Sequence, residues 1–453
     1  MHEVEHLIGG QWVKGPAAIE VVNPATGEPV SRAPIASAEQ VDRAVEKARA
    51  SAAGWANMPA AQRGAMLREA AEAIHAKELA EVVKAEMGNP EALAGVQAGI
   101  DTLLQYAAIP HRSKSLPGDA IDLMVYEPRG VVAAITPWND PVAVSCGLLG
   151  AALATGNTVV YKPSERTPAT GWLLTKTLSA HLPEGVLSML AGDGTVGARL
   201  AASPVDVIAH VGSTATGRAI RRTAVDTGAK ILLENGGNDP LIVDEDVDPH
   251  WAAEQAALGA FANAGQLCVA VERIYVHRAI ATAFVAELVE AARSFEIGPL
   301  VDEAHRRKVD GQVRDAIAHG ARVLYGGSTK DGQGTYYPPT VLVDCAEEME
   351  IMREETFGPI APVASVPSFD EAMRRAKSSP YGLAATVLTA SMEHAFRVAK
   401  ELPVGTLKVN SVFGSAPGGA AHPRGISGQG FGYGPELLDE MTFTKVLHVD
   451  PPC

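Results

Sequence analysis

Glu234 and Cys268 are the two residues of this chain whose types and settings best suit joint chemistry. Glu234 ends the apolar run Lys230-Ile231-Leu232-Leu233 and stands immediately before Asn235-Gly236-Gly237. A carboxylate there is either an ordinary strand-end acid facing water or a desolvated group whose raised pKa suits it to general-base work. Cys268 closes Asn263-Ala264-Gly265-Gln266-Leu267-Cys268, between a predicted helix and a predicted strand over 271–277, so it falls on a loop. A loop cysteine near a base is a candidate nucleophile. Cys146 and Cys345 have apolar or strand-like neighbours and Cys453 is the last residue, so ordinary burial or chance accounts for all three. No metal site is assigned among the 13 histidines, and no metal is expected.

Two glycine turns compete as phosphate cradles. Gly192-Asp193-Gly194-Thr195-Val196-Gly197 matches G-x-G-x-x-G, after the apolar run 186–190 and before a helix-like 198–202. A ribose-holding acid about 20 residues later is missing: Asp206 opens the next strand and Asp226 is remote. The match reads equally well as a tight strand-to-helix turn. Gly212-Ser213-Thr214-Ala215-Thr216-Gly217 is better placed, between the strand-like 205–210 and the helix-like 218–225. Amides at that helix start suit a pyrophosphate, although a serine there is also an ordinary N-cap.

These residues need a scaffold. The 453 residues are 47% hydrophobic and 20% charged, enough for two or three domains with real cores. Fifty-three acids against 38 lysines and arginines give a net charge of −15, which argues against nucleic acid or an anionic membrane as partner and for a small-molecule substrate. The acidic start Met1-His2-Glu3-Val4-Glu5-His6 lacks the features of a signal peptide, and the chain is read as cytoplasmic. The uncharged stretch 141–161 is punctuated by Gly150 and Thr155-Gly156-Asn157, which favours a buried helix and strand over a membrane span.

Helical spacing over 38–53, 62–87 and 251–264 alternates with β-branched runs over 131–135, 158–161, 205–210, 231–234 and 273–277. The pattern predicts an α/β protein with mostly parallel sheets, whose ligands lie at the carboxyl ends of strands. The stretch Ser115-Leu116-Pro117-Gly118-Asp119-Ala120, followed by the strand-like 121–126, reads as an arm leaving the first domain. A turn cluster at 235–240 and a glycine-dense 414–434 mark further boundaries.

The glutamate and cysteine, taken with further blocks, resemble the NAD(P)-dependent aldehyde dehydrogenase superfamily. The blocks are Thr136-Pro137-Trp138-Asn139, Lys162-Pro163-Ser164-Glu165, the turn at 212–217, Glu354-Glu355-Thr356-Phe357-Gly358-Pro359 and Gly405-Thr406-Leu407-Lys408-Val409-Asn410. With Asn23-Pro24-Ala25-Thr26-Gly27 they span nearly the whole chain in the family's order. The resemblance implies an α/β fold with a Rossmann-like NAD-binding domain (1–114 and 129–234), an α/β catalytic domain (235–425) and a β oligomerisation arm (115–128 and 436–453). The arm would pair 121–126 with 444–449 and build a homodimer or homotetramer.

It also implies roles. Cys268 would be the nucleophile, Asn139 and the Cys268 backbone N–H the oxyanion donors, and Glu234 the base that activates water against the thioester. Lys162 and Glu165 would hold the adenosine ribose, Gly212, Ser213 and Gly217 the pyrophosphate with Gly194 close by, Glu355 the nicotinamide ribose, and Trp138 and Phe357 would line the cofactor site. Glu165 accepts from a free 2′-hydroxyl but repels a 2′-phosphate, so NAD is expected over NADP.

The chain departs from the family at Asn235 (usually apolar), Asp140 and His210 (often aromatic), in the shortened 295–300 connection, and at Ala416-Pro417-Gly418-Gly419, where the aromatic that often closes the nicotinamide site is missing or displaced to Phe413 or Phe431. Small or aliphatic Val144, Gly147, Ala262, Leu267 and Val269, with no arginine, suggest an apolar tunnel for a neutral aliphatic or aromatic aldehyde. The rivals are a CoA-acylating semialdehyde dehydrogenase, which would generally lack Glu234, and a non-catalytic relative.

Overall fold

The computed structural model describes residues 1–109, 113–116, 121–329, 332, 334–414, 422–430, 432 and 434–450. Two helix-covered sheets make up most of the chain. In the first, five parallel strands lie in the order Lys230–Glu234, Val207–Val211, Val131–Ile135, Thr158–Lys162, Leu187–Met189. Antiparallel strands flank them, with Gly428–Gln429 at one edge and His6–Ile8 followed by Gln11–Val13 at the other. The chain winds outward from Val131–Ile135 to Leu187–Met189, then returns to the other side at Val207–Val211. The order therefore reverses between Val131–Ile135 and Val207–Val211, where an α/β sheet opens a crevice for a ligand.

Strands buried on both faces need no polar alternation, which explains the unbroken Val131-Val132-Ala133-Ala134-Ile135, every residue buried. The uncharged stretch resolves into the helix Ala143–Ala154 and the strand Thr158–Lys162, both buried. Among the described residues, no helix is long and apolar enough to cross a membrane.

The second sheet has the order Arg322–Tyr325, Thr340–Val343, Ile360–Val366, Val271–His277, Asp239–Val243, Ala384–Leu388, Thr406–Val409, all parallel except the first. Glu234 ends the last parallel strand of the first sheet and Asp239 opens the first strand of the second, so the turn at 235–238 joins the two. A third sheet pairs Thr442–Val449 with Ile121–Pro128, Thr444 opposite Tyr126, and Ile121–Pro128 with Ser113–Leu116. Pro117 to Ala120 of the predicted arm lie outside the described residues.

Two expected helices end elsewhere. The single helix over 62–87 is two, Ala60–Glu72 and Ala76–Met87, broken where Ile74 turns into the core. No Gly or Pro marks that break, and Ile74 is buried within it. The helix over 251–264 stops at Phe261, because Asn263, Ala264 and Gly265 take successive left-handed conformations (φ 49°, 56° and 70°).

Candidate active site

That left-handed run places Cys268, the candidate nucleophile. Gly265 comes so near Gly358 that a Cβ would lie 2.1 Å from the Gly358 carbonyl oxygen. Gln266 then pins the loop: its Nε2 donates to Asn263 O (3.0 Å), and its Oε1 accepts the Val301 N–H (2.9 Å). Cys268 emerges half-buried, its thiol donating towards Glu234 Oε1 across 3.7 Å.

Glu234 is 3% exposed and, among the described residues, Oε2 has no hydrogen-bond partner. Burial pushes its carboxyl up to about 7, poised to exchange a proton near neutrality. Burial also pushes the Cys268 thiol up, helped by the charges of Glu234, Asp239, Glu355 and Asp140. Burial and the acids around Cys268 thus favour its thiol over its thiolate. Asn139 Nδ2 donates to Gln266 O at 3.1 Å, which brings the candidate oxyanion donor onto the nucleophile loop.

A cleft of about 1760 Å3 opens over this pair and runs across the strand ends. It is lined by Cys268, Glu234, Asn139, Trp138, Lys162, Glu165, Gly194, Gly212, Ser213, Glu355 and Phe357, so the structure brings these candidates together. Gly217 lies behind the lining, so close to Asn235 that a Cβ would meet Oδ1 at 2.0 Å.

The two glycine turns differ at their caps. Asp193 caps the helix Gly194–Ala201, its carboxylate accepting from Thr195 N at 2.9 Å, and so sets a negative charge where a phosphate would sit. Ser213 caps the helix Thr214–Thr227 without charge, its Oγ accepting from Thr216 N at 3.2 Å. Thr214 Oγ1, buried without a partner among the described residues, flanks that second turn, and the space over Gly194 is open. A dinucleotide fits this arrangement. His210 itself is held neutral, its pKa lowered to about 4 by burial, with Nδ1 3.2 Å from Ile135 O.

Lys162 is buried, donates to Pro163 O at 2.9 Å and sits 3.5 Å from Glu165 Oε2; the Glu165 side chain is 41% exposed. Glu355 accepts the Gly237 N–H at 3.0 Å, and burial with the charge of Glu272 pushes its carboxyl up to about 8. Phe357 (φ 57°) is held by Glu272, which accepts its N–H at 2.8 Å, and its ring lies edge-on to Trp138 at 5.5 Å.

Sequence reasoning missed His305, which completes an aromatic trio with Trp138 and Phe357 and whose Nε2 is 2.7 Å from Phe357 O. It missed Lys308, which donates to Glu355 O at 2.8 Å, and it missed Asp101, Thr102 and Gln105, on the helix Ala92–Ala108, as lining of the cleft. No local motif marks any of them. Val144, Leu267 and Val269 line the cleft as expected, with Asp140 beside them, whereas Gly147 and Ala262 do not. Of the aromatic candidates, Phe413 lines the cleft. Ala416 to Gly419, Phe431 and Cys453 lie outside the described residues.

A paired thiol and buried carboxylate, set beside a phosphate-type turn at the switch point of a parallel sheet, suit a dinucleotide-dependent oxidoreductase. Comparison with known proteins gives the family. The profile of the aldehyde dehydrogenase family matches residues 12–447. The chain is 35% identical to lactaldehyde dehydrogenase of Escherichia coli (strain K12), covering 98% of this chain and 99% of that protein. It is 34% identical to mitochondrial succinate-semialdehyde dehydrogenase of Arabidopsis thaliana, over 96% and 88%. The structure of an aldehyde dehydrogenase from Bacillus cereus with NAD+ superposes with a TM-score of 0.95, at 32% identity over 99% and 97% of the two chains. This chain belongs to the aldehyde dehydrogenase family, as an NAD(P)-dependent oxidoreductase acting on the aldehyde group.

Proposed function

We propose that Cys268 attacks the aldehyde carbon, that Asn139 and the Cys268 N–H hold the resulting oxyanion, and that Glu234 activates the water that releases the carboxylic acid. The 3.7 Å contact between Cys268 Sγ and Glu234 Oε1 on the floor of the cleft carries this reading. As the C–S bond forms, the thiol proton leaves to water in the cleft that Cys268 lines, so that Glu234 remains free to act as base in the second step. Collapse of the oxyanion expels hydride from carbon and leaves a thioester. A nicotinamide cofactor, when bound, would supply the hydride acceptor. Glu234 then takes a proton from water as the water adds to the thioester, and the thiolate departs. Presence of Glu234 favours water over CoA as acyl acceptor, and retention of Asn139, Glu234, Cys268 and Glu355 argues against a non-catalytic relative.

Lys162 and Glu165 would bind the adenosine ribose, Gly212, Ser213 and Gly217 the pyrophosphate with Gly194 nearby, and Glu355 the nicotinamide ribose. Trp138 and Phe357 would pack beside them. The Glu165 carboxylate favours NAD over NADP. Val144, Leu267, Val269 and Phe413 support a neutral aliphatic or aromatic aldehyde, and Asp101 and Asp140 on the same cleft disfavour an anionic one. Initial rates on hexanal, benzaldehyde and succinic semialdehyde test this; preference for the last would refute it.

The exposed Ile121, Phe443, Val446 and Leu447 of the third sheet support an arm (115–128, 436–453) that builds a homodimer or homotetramer. The remaining domains would be 1–114 with 129–234 for NAD and 235–425 for catalysis, in a cytoplasmic protein.

A further inference from the structure

Asn235 follows the proposed base and takes no part in the chemistry above. It is 3% exposed; its backbone N–H donates to Ser427 O at 2.8 Å and its Nδ2 to Ile426 O at 2.9 Å. Ser427 returns the tie, its Oγ donating to Gly236 O at 2.8 Å while accepting the Gly382 N–H at 3.1 Å. Gly428 then pairs with Glu234 in the antiparallel ladder. A Cβ at 428 would lie 1.9 Å from Leu233 O, and one at 432 would lie 2.1 Å from Glu234 Oε2. Residues 426–430 and Gly432 thus form a strap lying directly on the strand end that bears Glu234.

The carboxylate has little to aim it. Oε1 meets the Cys268 thiol and, among the described residues, Oε2 has no partner, so the direction of the side chain depends on where the strap holds its backbone. Asn235 Oδ1 is also buried, against Gly217 and without a partner among the described residues, a cost that an apolar side chain would avoid. Packing alone therefore gives no reason for an amide at this position; the hydrogen bond from Nδ2 to the strap does.

We propose that Asn235 is a positioning residue for Glu234, whose side-chain tie to the strap fixes the base for thioester hydrolysis and is not needed for thioester formation. The inference rests on the assignment of Cys268 as nucleophile and Glu234 as base. p-Nitrophenyl acetate separates the steps without the cofactor: attack by Cys268 releases p-nitrophenolate and leaves an acetyl thioester, and water then returns the thiol and acetate. In Asn235→Leu, p-nitrophenolate release in the first turnover should keep the wild-type rate. Loss of the acetyl group from Cys268, followed by intact-protein mass spectrometry after removal of excess ester, should slow about tenfold, the worth of one hydrogen bond.

Ser427→Ala cuts the strap from its other side and should slow the same step, which guards against a folding defect peculiar to Asn235→Leu. A merely structural role predicts that both steps slow together. That result, or unchanged acetyl loss in both variants, overturns the inference while leaving the nucleophile in place. If the wild type releases no p-nitrophenolate at all, the thioester reading falls and takes the inference with it.

Discussion

The cleft has two ends, each with a glutamate, and the two are built oppositely. At the reacting end Glu234 is 3% exposed, covered by the strap and pushed to a pKa of about 7 by burial. At the end proposed for the adenosine ribose, the Glu165 side chain is 41% exposed and stands 3.5 Å from the ammonium of the buried Lys162. A base must change its protonation state during turnover, so it belongs where desolvation brings its pKa near that of the medium. A group that only selects between two cofactors needs its charge and can remain in water, where charge is weakly felt. Large kinetic effects are therefore expected from the deep end and small ones from the shallow end.

The largest effect falls on the nucleophile. Cys268→Ala leaves nothing to form the thioester, and neither an NADH burst nor turnover should appear. Glu234→Gln keeps the shape but removes the base, so steady turnover should fall by about 10²–10⁴. An NADH burst near one equivalent per site should survive, with the acyl group found on Cys268 by mass spectrometry of the intact protein. Wild-type turnover in Glu234→Gln would make Glu234 no different in kind from Glu165 and end the comparison.

pH gives the next effect. Glu234 is a base only when ionised, so hydrolysis of the acyl-enzyme should rise with pH through about 7, and this limb should vanish in Glu234→Gln. Stability runs the other way. An acid whose folded pKa is raised above its unfolded value contributes stability that is present below pH 4.5 and lost as pH rises through about 7. Thermal melts should therefore show Glu234→Gln gaining on the wild type between pH 5 and pH 8. An equal gap at both values would deny the burial of the charge.

How far the two ends were legible in sequence follows the same division. Glu234 at a strand end, Cys268 on a loop and the turn at 212–217 could be read because each is set by neighbours along the chain. The choice between turns became physical once the caps were seen, Asp193 at one and Ser213 at the other. The strap could not be read, since Gly428–Gln429 joins a strand almost 200 positions earlier and leaves no local period. The same holds for the helix Ala92–Ala108, which supplies cleft-lining polar groups by packing. The break at Ala73-Ile74-His75 has no breaker residue, and the early end at Phe261 comes from left-handed residues of which only Gly265 announces itself.

The smallest effect tests the shallow end. If Glu165 discriminates by repelling a 2′-phosphate, wild-type kcat/KM with NAD should exceed that with NADP, and Glu165→Ser should narrow the ratio chiefly by improving the NADP value. Because the carboxylate is largely hydrated and already shares the field of Lys162, its removal is worth about 1 kcal/mol, or about fivefold. The change should shrink in high salt, as an exposed charge requires, whereas the defect of Glu234→Gln should not. Equal use of both cofactors by the wild type would remove Glu165 from cofactor choice. A salt-independent loss in Glu165→Ser would mean that the carboxylate acts by shape and hydrogen bonding, like the buried groups at the other end.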